Sequence, residues 1–450
     1  MICEAVVLAA GLGTRMQSET PKVLHLLGGR PMLAWTVEAC RTATRRAPTI
    51  VVGPESEVFR SHFEADVHFV EQVDRLGTGH ATMQAQETIA ERSDLVLVVN
   101  ADLPLLQTDT LRRLIDTQIA NEGPLSLLTA ISPLSRGFGR IERSANGEIK
   151  GIIEESHASP EQLAIEELNV GAYCYRADWL WDHLSKLPLS PKGEYYLTDL
   201  VAMAVEEGKS VGSAEVKDAT EMIGVNTREH LAQAEEALRK RINRHWMLAG
   251  VTMLDPATTY IGPDVELGAD TVILPNTHLE GETQIGPGCR LGPNTIIRDS
   301  SVGGRSRVEA SVVEGAVLEE DVEVGPFAHL RSGARLGRQV HVGNFGEVKN
   351  STLGPGVKMG HFSYVGDATV GENANVGAGT ITCNFDGERK HATEIGEMAF
   401  IGSDTMLVAP VRVGRGARTG AGSVVNRDVP DWTMAVGVPA RVIRKLEETE

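Results

Sequence analysis

The C-terminal part of the sequence repeats its hydrophobic positions every six residues. From Ile261 onward an aliphatic residue heads each block and glycine often follows it, as in IGPDVE, LGADTV and IGPGCR. A six-residue period fits neither a heptad nor simple alternation, and it predicts a parallel β-helix in which each block forms one short strand and one turn. The heads are expected to point inward. With one-residue slips and one interruption they are Ile261, Leu267, Ile273, Leu279, Ile285, Leu291, Ile297, Val302, Val308, Val313, Leu318, Val324, Leu330, Leu336, Val342, Val348, Leu353, Met359, Val365, Val370, Val376, Ile395, Ile401, Leu407, Val413, Thr419 and Val425.

Small residues stand four positions after the first block heads, and they are expected to fill the corners of the coils: Val265, Thr271, Thr277, Thr283, Cys289 and Thr295. The alternative is a glycine-rich all-β domain whose spacing is accidental. Registered runs on both sides of the interruptions favour the β-helix.

The N-terminal half alternates short apolar runs with helical patterns. Strands are predicted at 2–10, 49–53, 68–70, 95–100 and 125–131, with helices between them, notably at 32–43, 81–91 and 111–121. This alternation indicates an α/β domain with a Rossmann-like, mostly parallel sheet. In such sheets ligands bind at the carboxyl ends of the strands.

A single amphipathic helix is predicted between the two halves. Leu231, Ala234, Leu238 and Ile242 recur at three-to-four-residue spacing, and the pattern ends near Gly250. The predicted organisation is therefore an α/β domain at 1–226, a long linker helix at 227–250 and a β-helix domain at 251–450. A peripheral helix of the first domain is the alternative for this segment.

Composition limits the partners and the compartment. The chain has 43 basic and 61 acidic residues, a net charge of −18, which argues against nucleic acid and anionic membrane as partners and requires a local basic site for any anionic substrate. The cysteines are odd in number and form no CxxC pair, so neither a disulfide framework nor a zinc site is indicated: Cys3, Cys40, Cys174, Cys289 and Cys383. No signal peptide or membrane span is expected, and we predict a cytoplasmic protein.

The first predicted strand runs into a glycine-rich loop, residues 11–16 (GLGTRM), with Arg15 inside it and Lys22 shortly after it. Such a loop brings backbone N–H groups against phosphates, and the two cations support that interpretation. The dinucleotide-binding GxGxxG pattern is not met. Asp102 follows the apolar run LVLVV and is either a Mg²⁺ ligand at the strand end or a cap of the turn at Leu103 and Pro104.

A series of motifs in one order resembles the sugar-1-phosphate nucleotidyltransferases. They are LAAGLGTRM, Pro21-Lys22, Gln72, LGTGHA, Asp102, GFGRI, IIEE, ELNVGAY and GVNTR. Joined to a hexapeptide solenoid, the whole chain resembles the family of bifunctional N-acetylglucosamine-1-phosphate uridyltransferases / glucosamine-1-phosphate N-acetyltransferases. This resemblance implies a left-handed β-helix, and it implies the synthesis of UDP-N-acetylglucosamine by acetyl transfer from acetyl-CoA followed by uridylyl transfer from UTP.

The resemblance assigns residues of the first domain. Arg15 and Lys22 would bind the nucleotide phosphates and act in catalysis, and Asp102 with Asn226 would ligate Mg²⁺. The uridine nucleotide would be held by Leu8, Ala9, Ala10, Gly11, Lys22, Gln72, Gly77 and Thr78, and the N-acetylglucosamine-1-phosphate by Gly139, Glu154, Asn169 and Asn226. Asn100 and Ala101 depart from the family's usual pattern before the aspartate.

On the solenoid, departures from the repeat mark a candidate site. Arg331 and Lys349 fall one coil apart if three blocks make a coil, and His361 follows shortly after. A lone histidine would favour an ordinary structural role, but the paired cations reverse that preference, because acyl transfer to an amine benefits from a base whose pKa starts near 6.5. The segment 382–394 is predicted to leave the solenoid as a loop.

The resemblance makes His361 the base, with Glu347 nearby. Glucosamine-1-phosphate would be held by Arg331, Lys349, Tyr364 and Asn375, and acetyl-CoA by Asn384, Phe385, Ser403, Ala421 and Arg441. Phe385 and the ending VGVPARVIRK depart from the family pattern. A homotrimer is implied by the resemblance.

Two other functions compete with this one. The first is a sugar-1-phosphate nucleotidyltransferase with another sugar or nucleotide and a regulatory β-helix. The second is a non-enzymatic scaffold of the same architecture. Lys22, Asp102 and Asn226 argue against the scaffold, and Arg331, Lys349 and His361 argue against a regulatory solenoid.

Overall fold

A computed structural model describes residues 1–54, 56–63, 67–133, 137–155 and 158–448 of the chain. Contacts divide the chain into two compact units, Met1–Leu238 and the residues from Arg239 onward. Among the described residues, no helix has the length and the apolar character needed to cross a membrane.

The first unit is built on one twisted sheet, as predicted. Its path runs β11-β7-β10-β6-β1-β4-β5, with β8 and β9 paired beside β10, and a separate small hairpin joins β2 to β3. The strands are Cys3–Leu8 (β1), Leu26–Leu27 (β2), Arg30–Pro31 (β3), Thr49–Val52 (β4), His68–Glu71 (β5), Leu95–Asn100 (β6), Leu125–Ile131 (β7), Arg140–Arg143 (β8), Ile149–Ile153 (β9), Glu167–Arg176 (β10) and Val211–Glu215 (β11).

Helices cover both faces of this sheet. They are Met32–Thr44 (α1), Ser56–Arg60 (α2), Gly77–Met83 (α3), Gln86–Ile89 (α4), Thr108–Ala120 (α5), Pro160–Leu163 (α6), Ala177–Leu184 (α7) and Asp199–Glu206 (α8). Alternate residues of a strand point to opposite faces. Accordingly, Val7 belongs to one hydrophobic core and Val6 to the other, which explains why β1 is apolar throughout.

Strand β10 departs from the parallel arrangement. It runs antiparallel to both β6 and β7, with a shift of register between Asn169 and Tyr173. The shift is centred on Gly171, whose φ of +86° favours glycine and where a Cβ would lie 2.6 Å from Asn100 Nδ2. The alternating strand and helix pattern predicted the sheet but carried no information about the direction of this strand.

The predicted linker helix is α9, Arg228–Leu248. Ala234 and Leu238 are buried in the first unit, whereas Ile242 and Trp246 pack against the core of the second. Gly250, with a φ of +97°, follows the end of the helix. The boundary between the two compact units thus falls within this helix.

The second unit is the predicted β-helix. In its described part, three parallel sheets form three faces. Face 1 contains Thr252–Met253 (β12), Val272–Ile273 (β15), Arg290–Leu291 (β18), Arg307–Val308 (β21), Glu323–Val324 (β24), His341–Val342 (β27), Lys358–Met359 (β30), Asn375–Val376 (β33), Phe400–Ile401 (β36), Arg418–Thr419 (β39), Thr433–Gly437 (β41) and, antiparallel to β41, Ala440–Lys445 (β42).

Face 2 contains Thr259–Ile261 (β13), Thr277–Glu280 (β16), Thr295–Arg298 (β19), Val312–Glu314 (β22), His329–Leu330 (β25), Gly346–Lys349 (β28), Ser363–Gly366 (β31), Ile381–Cys383 (β34), Met406–Val408 (β37) and Val424–Val425 (β40). Face 3 contains Glu266–Leu267 (β14), Gln284–Ile285 (β17), Ser301–Val302 (β20), Val317–Leu318 (β23), Arg335–Leu336 (β26), Thr352–Leu353 (β29), Ala368–Val370 (β32), Thr393–Ile395 (β35) and Val411–Val413 (β38).

Three blocks make one coil, and the block heads form its core. Leu330 pairs with Val348, Val348 with Val365 and Ile297 with Val313, so a coil takes 18, 17 or 16 residues outside the interruption at 382–394. The aliphatic heads are buried, and the predicted corner residues are buried as well. The hydroxyls of these predicted corner threonines donate to backbone carbonyls, as Thr283 Oγ1 does to Glu280 O at 2.6 Å, so none of these hydroxyls is left unsatisfied by burial.

Candidate active sites

The glycine-rich loop brings Lys22 to the carboxyl end of the first sheet. Gly13 has a φ of +62°, and a Cβ there would lie 2.5 Å from Lys22 Cβ, so only glycine allows this approach. Lys22 Nζ donates to Asp102 Oδ2 at 2.8 Å and to Asn226 Oδ1 at 3.0 Å. Because β1 and β6 are parallel, with Leu8 paired to Asn100, the loops after both strands meet at this edge.

Asp102 and Asn226 therefore direct their side-chain oxygens to one point, where the Lys22 ammonium stands in for a cation. Mg²⁺ in phosphate-transfer sites is held by one or two such protein oxygens together with phosphate oxygens of the substrate. Among the described residues, no group of three or more His, Cys, Asp or Glu side chains could hold a metal ion. The convergence of one carboxylate and one amide oxygen fits a Mg²⁺ ion that takes its remaining ligands from substrate and water.

A cavity of about 410 Å³ opens beside this loop. Every residue that the sequence assigned to the uridine nucleotide lines it: Leu8, Ala9, Ala10, Gly11, Lys22, Gln72, Gly77 and Thr78. Arg15 lies on an exposed turn, Thr14–Met16, and is not among the described residues that line this cavity.

A second cavity of about 300 Å³ adjoins the first. It is lined by all four residues assigned to the sugar phosphate: Gly139, Glu154, Asn169 and Asn226. Four residues line both cavities, namely Thr78, Asn100, Asp102 and Tyr196. The two cavities are thus halves of one cleft, and Asp102 stands where they join.

Several residues that line the cleft belong to none of the sequence motifs and were not predicted as site residues. Arg75 lines the nucleotide cavity and donates from Nε to Ala10 O at 2.8 Å, which ties the loop to the cavity wall. Tyr196 and Thr198 line the sugar cavity, and Thr198 Oγ1 donates to Glu154 Oε1 at 3.3 Å. Only the tertiary structure brings this stretch next to Glu154.

Burial and negative charge shape the sugar cavity. Desolvation, followed by the nearby Glu154 carboxylate, raises the pKa of Asp199 above its ordinary value. Burial likewise raises the pKa of Tyr173, whose hydroxyl accepts a hydrogen bond from Asn169 Nδ2 at 2.7 Å. Glu154 and Asn169, which both line the cavity, offer a carboxylate and an amide suited to sugar hydroxyls.

On the solenoid, Arg331 and Lys349 lie on neighbouring coils, since Leu330 pairs with Val348 in register. Arg331 Nη1 forms an ion pair with Glu347 Oε1 at 2.9 Å. Contact with Lys390, and then the charges of Lys390 and Arg331, lower the pKa of Lys349. Lys390 comes from the predicted loop and was not identified from the sequence, because its position follows no repeat.

His361 lies on an exposed corner of the next coil, before β31. Its Nδ1 is 3.2 Å from Asn344 Oδ1. Lys349 pairs with Gly366 at the end of β31, whereas His361 lies in the corner before β31 begins, so the two positions are at opposite ends of these paired strands within one chain. Glu347 pairs with Tyr364 and is bound to Arg331.

The remaining predicted residues are dispersed around the later coils. Asn375 is on face 1, in β33. Asn384 is buried and donates to Asp367 Oδ2 at 2.5 Å, while the neighbouring Phe385 is 60% exposed and forms a β-bridge with Lys390. Ser403 and Ala421 occupy exposed turns, and Arg441 lies in the terminal hairpin, where its Nη1 donates to Ala440 O at 2.7 Å.

Comparison with known families identifies both units. Residues 5–130 match the model of the MobA-like NTP transferase domain, and residues 264–299 match that of the bacterial transferase hexapeptide with six repeats. Each match lies within one of the two compact units.

Relatives align with this chain over nearly its whole length. The chain is 43% identical to the bifunctional protein GlmU of Pelobacter propionicus over 98% of this chain and 97% of that one. It is 45% identical to the GlmU protein of Heliobacterium modesticaldum over 96% and 94% of the two chains. The GlmU protein of Fervidobacterium nodosum is 44% identical over 98% and 96%.

Proposed function

Because this similarity extends over nearly all of both chains, the chain belongs to the GlmU family of bifunctional proteins, and we propose that it makes UDP-N-acetylglucosamine by two reactions. The second unit transfers an acetyl group from acetyl-CoA to glucosamine-1-phosphate. The first unit then transfers uridylyl from UTP to N-acetylglucosamine-1-phosphate and releases pyrophosphate.

The observation that carries the uridylyl reaction is the two-part cleft with Lys22, Asp102 and Asn226 joined by hydrogen bonds. A nucleotide in the larger half and a sugar phosphate in the smaller half would bring their phosphates together beside Asp102. This placement lets one phosphate attack the other without a covalent enzyme intermediate.

In the uridylyl reaction an oxygen of the sugar phosphate attacks the α-phosphorus of UTP, and the bond to the leaving pyrophosphate breaks. Lys22 neutralises charge on the phosphates, and Arg15 would do so if its loop closes over the nucleotide. Alignment and charge neutralisation of this kind account for most of the catalysis of phosphate transfer. A Mg²⁺ ion held by Asp102 and Asn226 would neutralise further phosphate charge.

In the acetyl reaction the amine of glucosamine-1-phosphate attacks the thioester carbonyl of acetyl-CoA, and the CoA thiol leaves. His361 accepts the proton that the amine loses, a contribution of about 10²- to 10⁴-fold. Arg331 and Lys349 hold the sugar phosphate, and Lys390 joins them from the loop. The sugar also contacts Tyr364 and Asn375, and the coenzyme lies along Asn384, Phe385, Ser403, Ala421 and Arg441.

We propose that more than one copy of the chain completes this acetyl site, since Lys349 lies at the end of β28 and His361 lies before the start of the paired strand β31. A column of exposed aromatic rings beside His361 supports a homotrimer: Phe327 and Phe345 stack at 5.4 Å, and with Phe362 they are 59%, 59% and 56% exposed. Phe327 and Phe345 also have φ values of 61° and 55°, which are unfavourable for bulky residues. Association that covers the column would bring His361 of one copy to the cations of another.

The acidic net charge of −18 disfavours nucleic acid and anionic membrane as partners, and we propose small-molecule substrates and a cytoplasmic location. A regulatory solenoid or a non-enzymatic scaffold would not require the cleft and the cation group together. Neither alternative is favoured by the full-length similarity.

Two substitutions test the division of the two activities. Asp102→Ala should abolish pyrophosphate release from UTP and N-acetylglucosamine-1-phosphate while leaving free-thiol release from acetyl-CoA intact. His361→Ala should have the opposite effect, with a loss of about 10²- to 10⁴-fold in acetyl transfer.

Asp109→Ala and His341→Ala serve as matched controls, since these side chains are 84% and 42% exposed and lie outside the cleft linings. Loss of both activities in either site variant, or neither activity in the unsubstituted protein, would contradict the proposal.

A further inference from the structure

The side chain of Gln72 forms part of the nucleotide cavity although only 3% of the residue is exposed. Gln72 directly follows β5, and its backbone N–H donates to Val52 O at 2.8 Å. The residue is therefore fixed at the carboxyl end of the sheet, and its amide can meet a ligand at one place only.

Both hydrogens of the Gln72 amide nitrogen have acceptors within the protein. Nε2 lies 3.0 Å from Gly77 O and 3.1 Å from His80 Nδ1. A carbonyl oxygen can only accept a hydrogen bond, which identifies the Gln72 atom beside Gly77 as nitrogen. Oε1 is then the atom of this amide that remains for a ligand.

His80 contacts the Gln72 amide but is not among the described residues that line the cavity, so it lies behind Gln72 as seen from the cavity. To accept from Gln72, its Nδ1 must be unprotonated, so the neutral ring carries its proton on Nε2. Gln84 Nε2 lies 3.3 Å from His80 Nε2 and donates to His80 O at 3.0 Å. A neutral imidazole accepts at one nitrogen only, so with Nδ1 accepting from Gln72 the Nε2–H of His80 faces Gln84 Nε2, whose own hydrogen bond goes to His80 O.

We propose that His80 is a positioning residue that sets the choice of nucleobase by keeping Gln72 Oε1 toward the cavity. This inference rests on the proposed use of UTP. Uracil has an N3–H donor between two carbonyl oxygens, whereas cytosine has an unprotonated N3. An acceptor held opposite N3 matches uracil and faces a lone pair in cytosine. Sites built on such hydrogen bonds discriminate strongly, because the wrong base leaves buried polar groups unpaired.

His80 matters because the last torsion of a glutamine is broad and roughly two-fold. With Gly77 O as its sole partner, the amide keeps only one of the two hydrogen bonds that hold its nitrogen away from the cavity, and the rotated amide, which presents nitrogen to the cavity, becomes less unfavourable. The rotated amide would suit the N3 acceptor of cytosine. Removal of His80 should therefore weaken discrimination between the bases more than it weakens binding of the shared triphosphate.

The test compares dissociation constants for UTP and CTP, measured by calorimetry, together with kcat/KM for both nucleotides. His80→Ala should lower the preference for UTP over CTP about five- to tenfold, the effect of one hydrogen bond. His80→Asn retains an acceptor close to the position of Nδ1 and should keep most of the preference. Gln84→Ala, which alters the other side of the same ring, should leave it unchanged.

The proposal is overturned if His80→Ala keeps the original preference, if His80→Asn loses as much as His80→Ala, or if the unsubstituted protein binds CTP as tightly as UTP. These outcomes are distinct from failure of the proposed function. An unsubstituted protein that prefers UTP in binding but forms no UDP-sugar would contradict only the latter.

Discussion

The two units of the chain place their candidate site residues in different ways. In the first unit, Lys22, Asp102 and Asn226 are far apart in sequence and meet through hydrogen bonds at the edge of a sheet. On the solenoid, Arg331 and Lys349 are brought together by the length of one coil. On the solenoid, the number of residues between two positions therefore predicts whether their side chains are neighbours. In the α/β unit it does not.

The same difference applies to their cores. The α/β unit has a hydrophobic core on each face of its sheet, and both depend on long-range strand order. The solenoid has one continuous core in which each coil contacts its neighbours. A change in the α/β cleft should therefore act through distant partners, whereas a change in the solenoid should act on adjacent coils.

The largest expected effect is on the rate of uridylyl transfer when Lys22, which contacts two residues distant in sequence, is replaced. Lys22→Met should lower kcat for uridylyl transfer by about 10²- to 10³-fold, because it removes a cation aimed at the reacting phosphates. Lys22→Arg keeps the charge and should lose less, and acetyl transfer should not change in either variant. Kinetics that are unaffected by Lys22→Met would show that the hydrogen-bonded group at Asp102 does not serve the phosphates.

A smaller effect is expected from a cavity in the solenoid core. Leu330→Ala removes a buried block head between two coils and should lower the free energy of unfolding by about 2–5 kcal/mol. Val317→Ala, on a head-adjacent position that is 39% exposed, should change it by less than about 0.5 kcal/mol.

Denaturant titration followed by acetyl and uridylyl assays would measure both variants. If Leu330→Ala lowered the denaturant concentration at which uridylyl activity is lost as much as that for acetyl activity, the two cores would not be independent.

The smallest expected effect is a shift in pH dependence on the solenoid. Lys390 and Arg331 lower the pKa of Lys349, so Lys349 loses its proton at a lower pH than an isolated lysine does. Binding of the anionic sugar phosphate favours the protonated form, and KM for glucosamine-1-phosphate should rise as the pH rises through this pKa. Lys390→Gln removes the main cause and should move the alkaline rise of KM to higher pH.

A pH profile of KM in the unsubstituted protein and the Lys390→Gln variant would measure this shift, with Lys358→Gln on face 1 as the control. An unchanged profile in Lys390→Gln would show that the loop lysine does not act on Lys349 during binding.

Much of the fold was predictable because hydrophobic positions recur at regular intervals along the sequence. The six-residue heads, the small corner residues and the amphipathic pattern of α9 are all visible in the sequence. The antiparallel direction of β10 was not, since an apolar run has no direction, and the positions of Arg75, Tyr196 and Lys390 follow no motif or repeat.

The sequence by itself determined the two architectures and the chemical types of the candidate residues, because local periodicity and motif order depend only on neighbours along the chain. The tertiary structure decided which side chains meet. It joined two cavities at Asp102, placed His80 behind Gln72, and separated His361 from Lys349 along one face. Those relations depend on strand order, register and loop paths, which are fixed by packing between segments distant in sequence.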